Sequence, residues 1–391
     1  MQIKRPTAWF AAAVSIGLLS TIILRSTPRQ FEIVEGPFVQ LSSTTGVNLV
    51  WFGNQEAQNE VSITNEGVEI LVASVPHSNL RFEIAIDGLD AGHRYEYSIA
   101  ADGVEQFRST FATSKTENSQ FRILVFGDSG TGSRAQYRLA AEMTSTSPDL
   151  ILHTGDLVYE HGERSGYRAR FFRPYADLIS RVNLWPALGN HDIHAPEYGQ
   201  AYFDVFTLPE NGPGNATPEQ HYWFDYASAR IAVINSNAKN DETEIADVSS
   251  WLNSVFTDDG PGWKFLSTHH CPYSTDHFRP MLRKHLVPVL EKVGVHVVFC
   301  GHDHFYMRTH PIRGGQAVAA NGGPVYVVSG AGADLADAGL QTDIAPLIAV
   351  VNDESLSYTV VDVDDRQLTL RQIAPSGRVI DDWTLSRINL P

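Results

Sequence analysis

Two hydrophobic rhythms divide the chain. From Gly36 to Thr113, apolar and polar residues alternate in short runs, as in Val47–Phe52, Leu80–Ile86, Arg94–Ala100 and Gln106–Phe111. A period of two puts one face of each strand against a core and the other in water. The breaks carry turn formers: Gly53-Asn54, Asp87-Gly88, Ala91-Gly92 and Asp102-Gly103. Such residues accept the positive φ that tight turns demand, so this region predicts a β-sandwich. From Phe121 the rhythm changes. Mostly apolar runs, including Phe121–Phe126, Leu150–Leu152, Trp263–Leu266, Val295–Phe299 and Val325–Val328, alternate with helical segments. Strands buried on both faces read this way, which indicates an α/β sheet.

The helices carry their own punctuation. Ser133 predicts a cap for a helix bearing Tyr137, Leu139 and Met143. Tyr167–Ile179 reads as helical despite Pro174, and Glu244–Phe256 is amphipathic. Arg279–Val293 predicts a helix disturbed at Pro288 and ended by Gly294. Tyr222–Tyr226 and Arg230–Asn235 predict strands, 193–220 a loop, and 356–386 the closing strands. Residues 26–35 and Lys115–Gln120 read as linkers.

Composition narrows the partners. The 391 residues leave room for two or three domains, and the formal net charge of −16 argues against nucleic acid or an anionic membrane surface. An anionic substrate would then need local positive charge, and bound metal ions are the simplest source. Cys271 and Cys300 alone give no disulfide framework. Both are expected as buried free thiols, with a pairing between them left open. Lys4 and Arg5 precede an uncharged stretch from Pro6 to Leu24, closed by Arg25. This predicts a targeting segment and export, with retention as an anchor favoured over cleavage. Asn215-Ala216-Thr217 is a glycosylation sequon that matters only in a secreted eukaryotic protein.

The candidate chemistry lies just past the strand ends. Asp128 comes first, then Asp156 with Tyr159, Asn190 with His191, His270, and His302 with His304. In open α/β sheets, ligands gather at the carboxyl ends of strands, so these loops can converge. Oxygen and nitrogen donors suit iron, zinc or manganese rather than calcium or magnesium alone. Asp156 has two oxygens and can bridge two cations. The Tyr159 phenol becomes a ligand only when a strongly acidic ion removes its proton. His302 and His304 alternate, so on an extended segment they share a side. The donors exceed what one ion needs; two ions about 3.5–4 Å apart share them and form a clamp for phosphoryl transfer.

These blocks, in this order, resemble the metallophosphoesterase superfamily and within it the purple acid phosphatases. That family spells Gly-Asp-x-Gly, Gly-Asp-x-x-Tyr, Gly-Asn-His-Asp/Glu, Val-x-x-His and Gly-His-x-His. Gly127–Gly130, Gly155–Tyr159, Gly189–Asp192 and Gly301–His304 match without departure. The remaining block departs: no Val precedes, and two histidines adjoin in Ser267-Thr268-His269-His270-Cys271-Pro272-Tyr273. The family's His-x-Pro spelling selects His270 over His269. Tyr95 and Tyr97, before a strand ending near Phe111, resemble the late strands of a fibronectin type III-like module.

The resemblance implies an α/β metallophosphoesterase sandwich over 120–391, two β-sheets flanked by helices. It would follow an N-terminal all-β fibronectin type III-like domain over 31–115 and a leader or anchor with linker over 1–30. It implies a ferric ion held by Asp128, Asp156, Tyr159 and His304. A divalent iron, zinc or manganese ion would be held by Asp156, Asn190, His270 and His302. Metal-activated hydroxide would attack phosphorus in line, with no phosphoenzyme, while His191 binds phosphate and protonates the leaving oxygen. His277 lies where the family often has a substrate-binding histidine. Asp192 would orient the His191 ring or sit at the surface. Arg164 and Arg168 would contact substrate or flank a helix; His161, His194 and Asp303 receive no role. The expected activity is that of an acid phosphatase on small phosphate monoesters. The alternatives are a phosphodiesterase of the same superfamily and an anchored, non-catalytic binding protein.

Overall fold

The computed structural model describes residues 30–391 except 79, 195–197, 238–241, 258–259, 275–278, 340–342 and 388–391. Residues 1–29 of the predicted leader, and His277, therefore lie outside the described residues. Among the described residues no helix is long and apolar enough to cross a membrane.

The alternating region forms two four-stranded antiparallel sheets. One holds Ile33–Gln40, Gly46–Gly53, Arg81–Asp87 and His77–Ser78; the other holds Val68–Val75, Asn59–Asn65, Arg94–Ala101 and Val104–Ala112. Trp51, Phe82, Tyr95, Tyr97 and Phe111 fill the space between them. Ile33–Gln40 begins inside the stretch predicted as a linker. Gly36-Pro37 reads as a break, but the strand crosses it by slipping register between Ile33 and Phe38, as a bulge does. Val68–Val75 escaped notice because its outward positions Val68, Ile70 and Val72 are themselves apolar.

This sandwich is packed onto the rest of the molecule. Phe38, Val50 and Phe52 bury in one cluster with Phe172 and Phe206. The Gln40 amide donates to the Leu184 carbonyl (3.1 Å) and the Tyr97 hydroxyl to the Ser180 carbonyl (2.9 Å).

The α/β part is two facing sheets. The first has six strands in the order Leu184–Pro186, Leu150–His153, Phe121–Phe126, Tyr358–Val363, Gln367–Ala374 and Arg378–Ser386. Its first three run parallel and the closing three antiparallel. The second has seven strands, with Ala229–Ile234, Trp263–Thr268, Val297–Cys300 and Val325–Ser329 parallel at its centre. Alternate residues explain the mostly apolar runs. Trp263, Phe265, Val297 and Phe299 face the core between the sheets. Leu266, Val298, Cys300 and Val328 face helices Glu242–Val255, Arg279–His285 and Val287–Val293. Both faces are covered, so neither can be polar.

Local signals act as the sequence implies. The Ser133 hydroxyl accepts from the Gln136 amide (3.2 Å) and caps Arg134–Ser145. Pro174 is tolerated because it sits in the first turn of Arg173–Ile179, where its missing N–H is not needed. The segment around Pro288 is two short helices, the second closed by Gly294 at φ 71°. The 193–220 excursion contains a short helix, Gln200–Val205. Cys271 and Cys300 are both buried and free.

Candidate metal centre

The carboxyl ends of the parallel strands in both sheets meet at one end of the sandwich. The Gly127 amide reaches the Ser329 carbonyl (3.0 Å), and the Gly301 amide reaches that of His269 (2.9 Å). Asp128, Asp156 and His302 all adopt left-handed backbone, at φ 54°, 57° and 71°. That turn swings each side chain back across the strand ends. Close approach also needs glycine. A Cβ on Gly189 would stand 2.1 Å from Asp156 Oδ1, and one on Gly155, itself at φ 101°, would stand 2.5 Å from His269 Nδ1.

The donors converge. Asn190 Oδ1 lies 2.9 Å from His302 Nδ1 and 2.9 Å from His269 Nε2. His269 Nε2 is 3.5 Å from Asp156 Oδ2. The Tyr159 hydroxyl is 2.9 Å from His304 Nε2 and 3.3 Å from Asp128 Oδ1. Ligand atoms of Asp128, Asp156 and His269, and of His269, His270 and His302, fall within 4.8 Å of one another.

His269 is the departure from the sequence reading. The His-x-Pro spelling set it aside, but its ring is fully buried, and Nδ1–H donates to the Thr154 carbonyl (2.7 Å). This leaves Nε2 aimed at Asp156 and Asn190, the usual orientation of a metal-ligating imidazole. His270 stays beside it, with Nδ1 2.9 Å from Ser236 Oγ and its ring 4.5 Å from that of His302.

The electrostatics fit a bound cation. Asp128, Asp156 and Asp192 are all buried. Burial and the neighbouring Asp156 push the Asp192 carboxyl up to about 7, and burial raises Asp128 as well. Burial also opposes charge on His269, yet Asp156 and Asp128 overcome it and hold the ring up to about 10. One imidazolium thus stands beside an ionised Asp156, while Asp128 and Asp192 are held toward their protonated forms; bound metal ions would take the place of those protons. Burial, then Asp128 and Asp156, push the Tyr159 phenol far above its ordinary range. It becomes a phenolate only if a strong Lewis acid takes the proton's place. Burial holds His302 neutral, at about 3, the form in which an imidazole coordinates a metal ion.

Around these donors, His191 keeps the place the motif predicts. Its backbone N–H donates to Asp156 Oδ1 (2.9 Å) and its Nδ1–H to the Glu160 carbonyl (2.5 Å). Nε2 stands 4.0 Å from Asp156 Oδ2, on the site side. The His194 ring lies 5.2 Å beyond it and His161 6.0 Å further on. Asp192 does not touch the His191 ring, and it is not at the surface. Arg164 opens the helical stretch that runs into Arg173–Ile179, and it pairs with both oxygens of Glu35 in the N-terminal sandwich (3.0 and 2.5 Å). His153 was missed altogether. It is buried behind the Asp128 loop, where Nδ1 accepts from the Gly155 amide (3.2 Å) and Nε2–H donates to Ser129 Oγ (2.9 Å). A histidine closing an otherwise apolar strand was the available signal.

Comparison with known proteins agrees with this geometry. Residues 121–306 match the family model of the calcineurin-like phosphoesterases. An Arabidopsis thaliana protein named probable inactive purple acid phosphatase 24 is 26% identical over 314 residues, 69% of this chain and 50% of its own length. A Hordeum vulgare nucleotide pyrophosphatase/phosphodiesterase is 24% identical over 318 residues, 69% of this chain and 84% of its own. The purple acid phosphatase PPD1 from yellow lupin seeds superposes with a TM-score of 0.77 at 19% identity, over 91% of this chain and 75% of that one. The chain spans about half the length of several of the curated relatives it matches. The fold and its site define a metallophosphoesterase. Residues 121–306 thus carry a calcineurin-like phosphoesterase domain, and the chain is similar to purple acid phosphatases.

Proposed function

We propose that this protein is an acid phosphatase that hydrolyses phosphomonoesters at a ferric–divalent centre. The observation that carries the proposal is the complete donor set gathered around Asp156, including a buried tyrosine whose proton only a strong Lewis acid would displace. Asp128, Asp156, Tyr159 and His304 would hold the ferric ion. Asp156, Asn190, His302 and an imidazole of the His269–His270 pair would hold divalent iron, zinc or manganese. Such a pair lowers the pKa of bound water toward neutrality and neutralises phosphate oxygens. The chain's own contribution is positioning and proton delivery. The Glu160 carbonyl holds the Nδ1–H of His191, so Nε2, once it has taken a proton from solvent, is the atom that gives it to the departing alcohol. No side chain needs to be phosphorylated, so one solvent oxygen enters each phosphate released.

A second reading, phosphodiester hydrolysis, is favoured by the name of the barley relative. Relative rates on a monoester and a diester separate the two. The Arabidopsis relative is named inactive, but an intact donor set argues for catalysis in this chain. The proposal includes export, on the basic-flanked apolar N-terminus.

The test is a visible absorption spectrum with metal analysis on the same sample. We expect a purple band, two metals per chain with iron among them, and loss of the band in Tyr159→Phe. A colourless protein with two other metals would remove the ferric assignment. A chain that binds none would remove the catalytic one.

A further inference from the structure

Asp192 is fully buried, and the hydrogen bonds its carboxylate accepts among the described residues come from backbone amides. Its Oδ2 accepts from the backbone amides of Asp156 and Gly189, both at 2.9 Å. Its Oδ1 accepts from those of Leu157 (2.9 Å) and Val158 (3.3 Å). One carboxylate thereby ties two loops that belong to different strands, one bearing Asp156 and the other bearing Asn190. The tie is returned: the Asp156 carboxylate accepts from the His191 amide (2.9 Å). The loops touch closely enough that a Cβ on Gly155 would stand 2.9 Å from the Gly189 nitrogen. Gly162 closes the far side, where a Cβ would come within 2.6 Å of the Asp192 backbone.

We infer that Asp192 is a positioning residue that sets the spacing between the Asp156 and Asn190 donors and so tunes metal affinity. A buried carboxylate surrounded by N–H donors has a specific job that no neutral group of its size performs. An amide in its place would turn an NH2 toward two of those four donors. One pair of amides would lose its acceptor, and the two loops would part or rotate. Both loops carry donors for the divalent ion, so the loss should fall on that ion's affinity before it falls on global stability. Outer partners of metal ligands typically contribute about 10–100-fold in affinity. The inference rests on the metal reading proposed above.

The experiment is zinc titration of the metal-stripped chain by chelator competition, with thermal melting alongside. We expect Asp192→Asn to weaken zinc binding about 10–100-fold, and Asp192→Glu, which restores the charge, to recover most of it. Leu370→Ala, a core truncation in the first sheet, should lower the melting temperature and leave zinc affinity unchanged. Equal affinity losses in Asp192→Asn and Leu370→Ala, or none in Asp192→Asn, would overturn the assignment. Hydrogen exchange on the wild-type chain covers the case of an unfolded variant. The amides of Asp156, Leu157, Val158 and Gly189 should exchange far more slowly than those of exposed loops, and free exchange would also overturn it. If wild type binds no zinc, the metal reading fails, while the exchange data still report on the clamp.

Discussion

The two sheets of the catalytic part bring different chemistry to the same place. The first sheet supplies oxygen: Asp128, Asp156, Tyr159 and Asn190 follow three adjacent parallel strands. The second supplies nitrogen: His269, His270, His302 and His304 follow two adjacent parallel strands. Neither half is a site by itself. The oxygen half buries carboxylates that need a compensating cation, while the nitrogen half offers imidazoles that burial keeps mostly neutral. The contrast teaches that the centre is an interface between sheets. Metal binding and sheet packing are therefore thermodynamically linked, because ions that bind only the packed state stabilise it.

The sharpest way to break the comparison is to remove the residue both halves share. Asp156→Ala should release both ions and lower kcat/KM on the order of 1000-fold, about 4 kcal/mol. Metal content and steady-state rates check it; a variant that keeps both ions would end the bridging role.

Acid should loosen each half in turn once the metal is chelated. Burial depresses His153, beside the first sheet's loops, to about 3, and His296, at the other end of the second sheet, to about 4. A histidine depressed in the folded state contributes stability above its unfolded pKa of about 6.5 and loses that contribution as pH falls toward the folded value. The chelated protein should thus lose up to about 3 kcal/mol per histidine between pH 6.5 and 4. Melting temperature against pH checks this, and His296→Gln should flatten the slope.

Within the nitrogen half, His269→Ala should cost about 100-fold in kcat/KM and one ion per chain. His270→Ala should cost about tenfold, as for an outer partner. The reverse order in paired metal analyses would make His270 the ligand, as the His-x-Pro spelling implies.

The smallest effect should fall outside both halves. Arg164→Ala leaves Glu35 buried without its partner, which costs about 1–3 kcal/mol and should leave kcat unchanged. Denaturant melts with parallel assays check it, and a fall in kcat would show that the N-terminal sandwich reaches the chemistry.

Much of this was legible beforehand because the cues are local. Turn residues in the alternating region, the Ser133 cap and the donor types after each apolar run need no tertiary contact to be read. The misses were long-range. Residues 33–35 looked like linker because a strand that continues through a bulge depends on its neighbouring strand. Asp192 looked like a partner for the residue beside it, yet its bonds go to backbone amides that are remote in sequence or face another way. Arg164 looked available to substrate because Glu35, 129 positions away, is invisible as a neighbour in one dimension.

By itself the sequence determined most of the parallel strands and longer helices of the α/β part, the identity of the donor types, and their placement at strand ends, because hydrophobic period and turn chemistry act over a few residues. Only the tertiary structure decided that oxygen donors come from one sheet and imidazoles from the other. It also decided that His269 joins the cluster and that a buried carboxylate fixes the spacing of two loops. Those outcomes depend on which strands become neighbours, and strands with the same apolar pattern on both faces do not announce the sheet they will join.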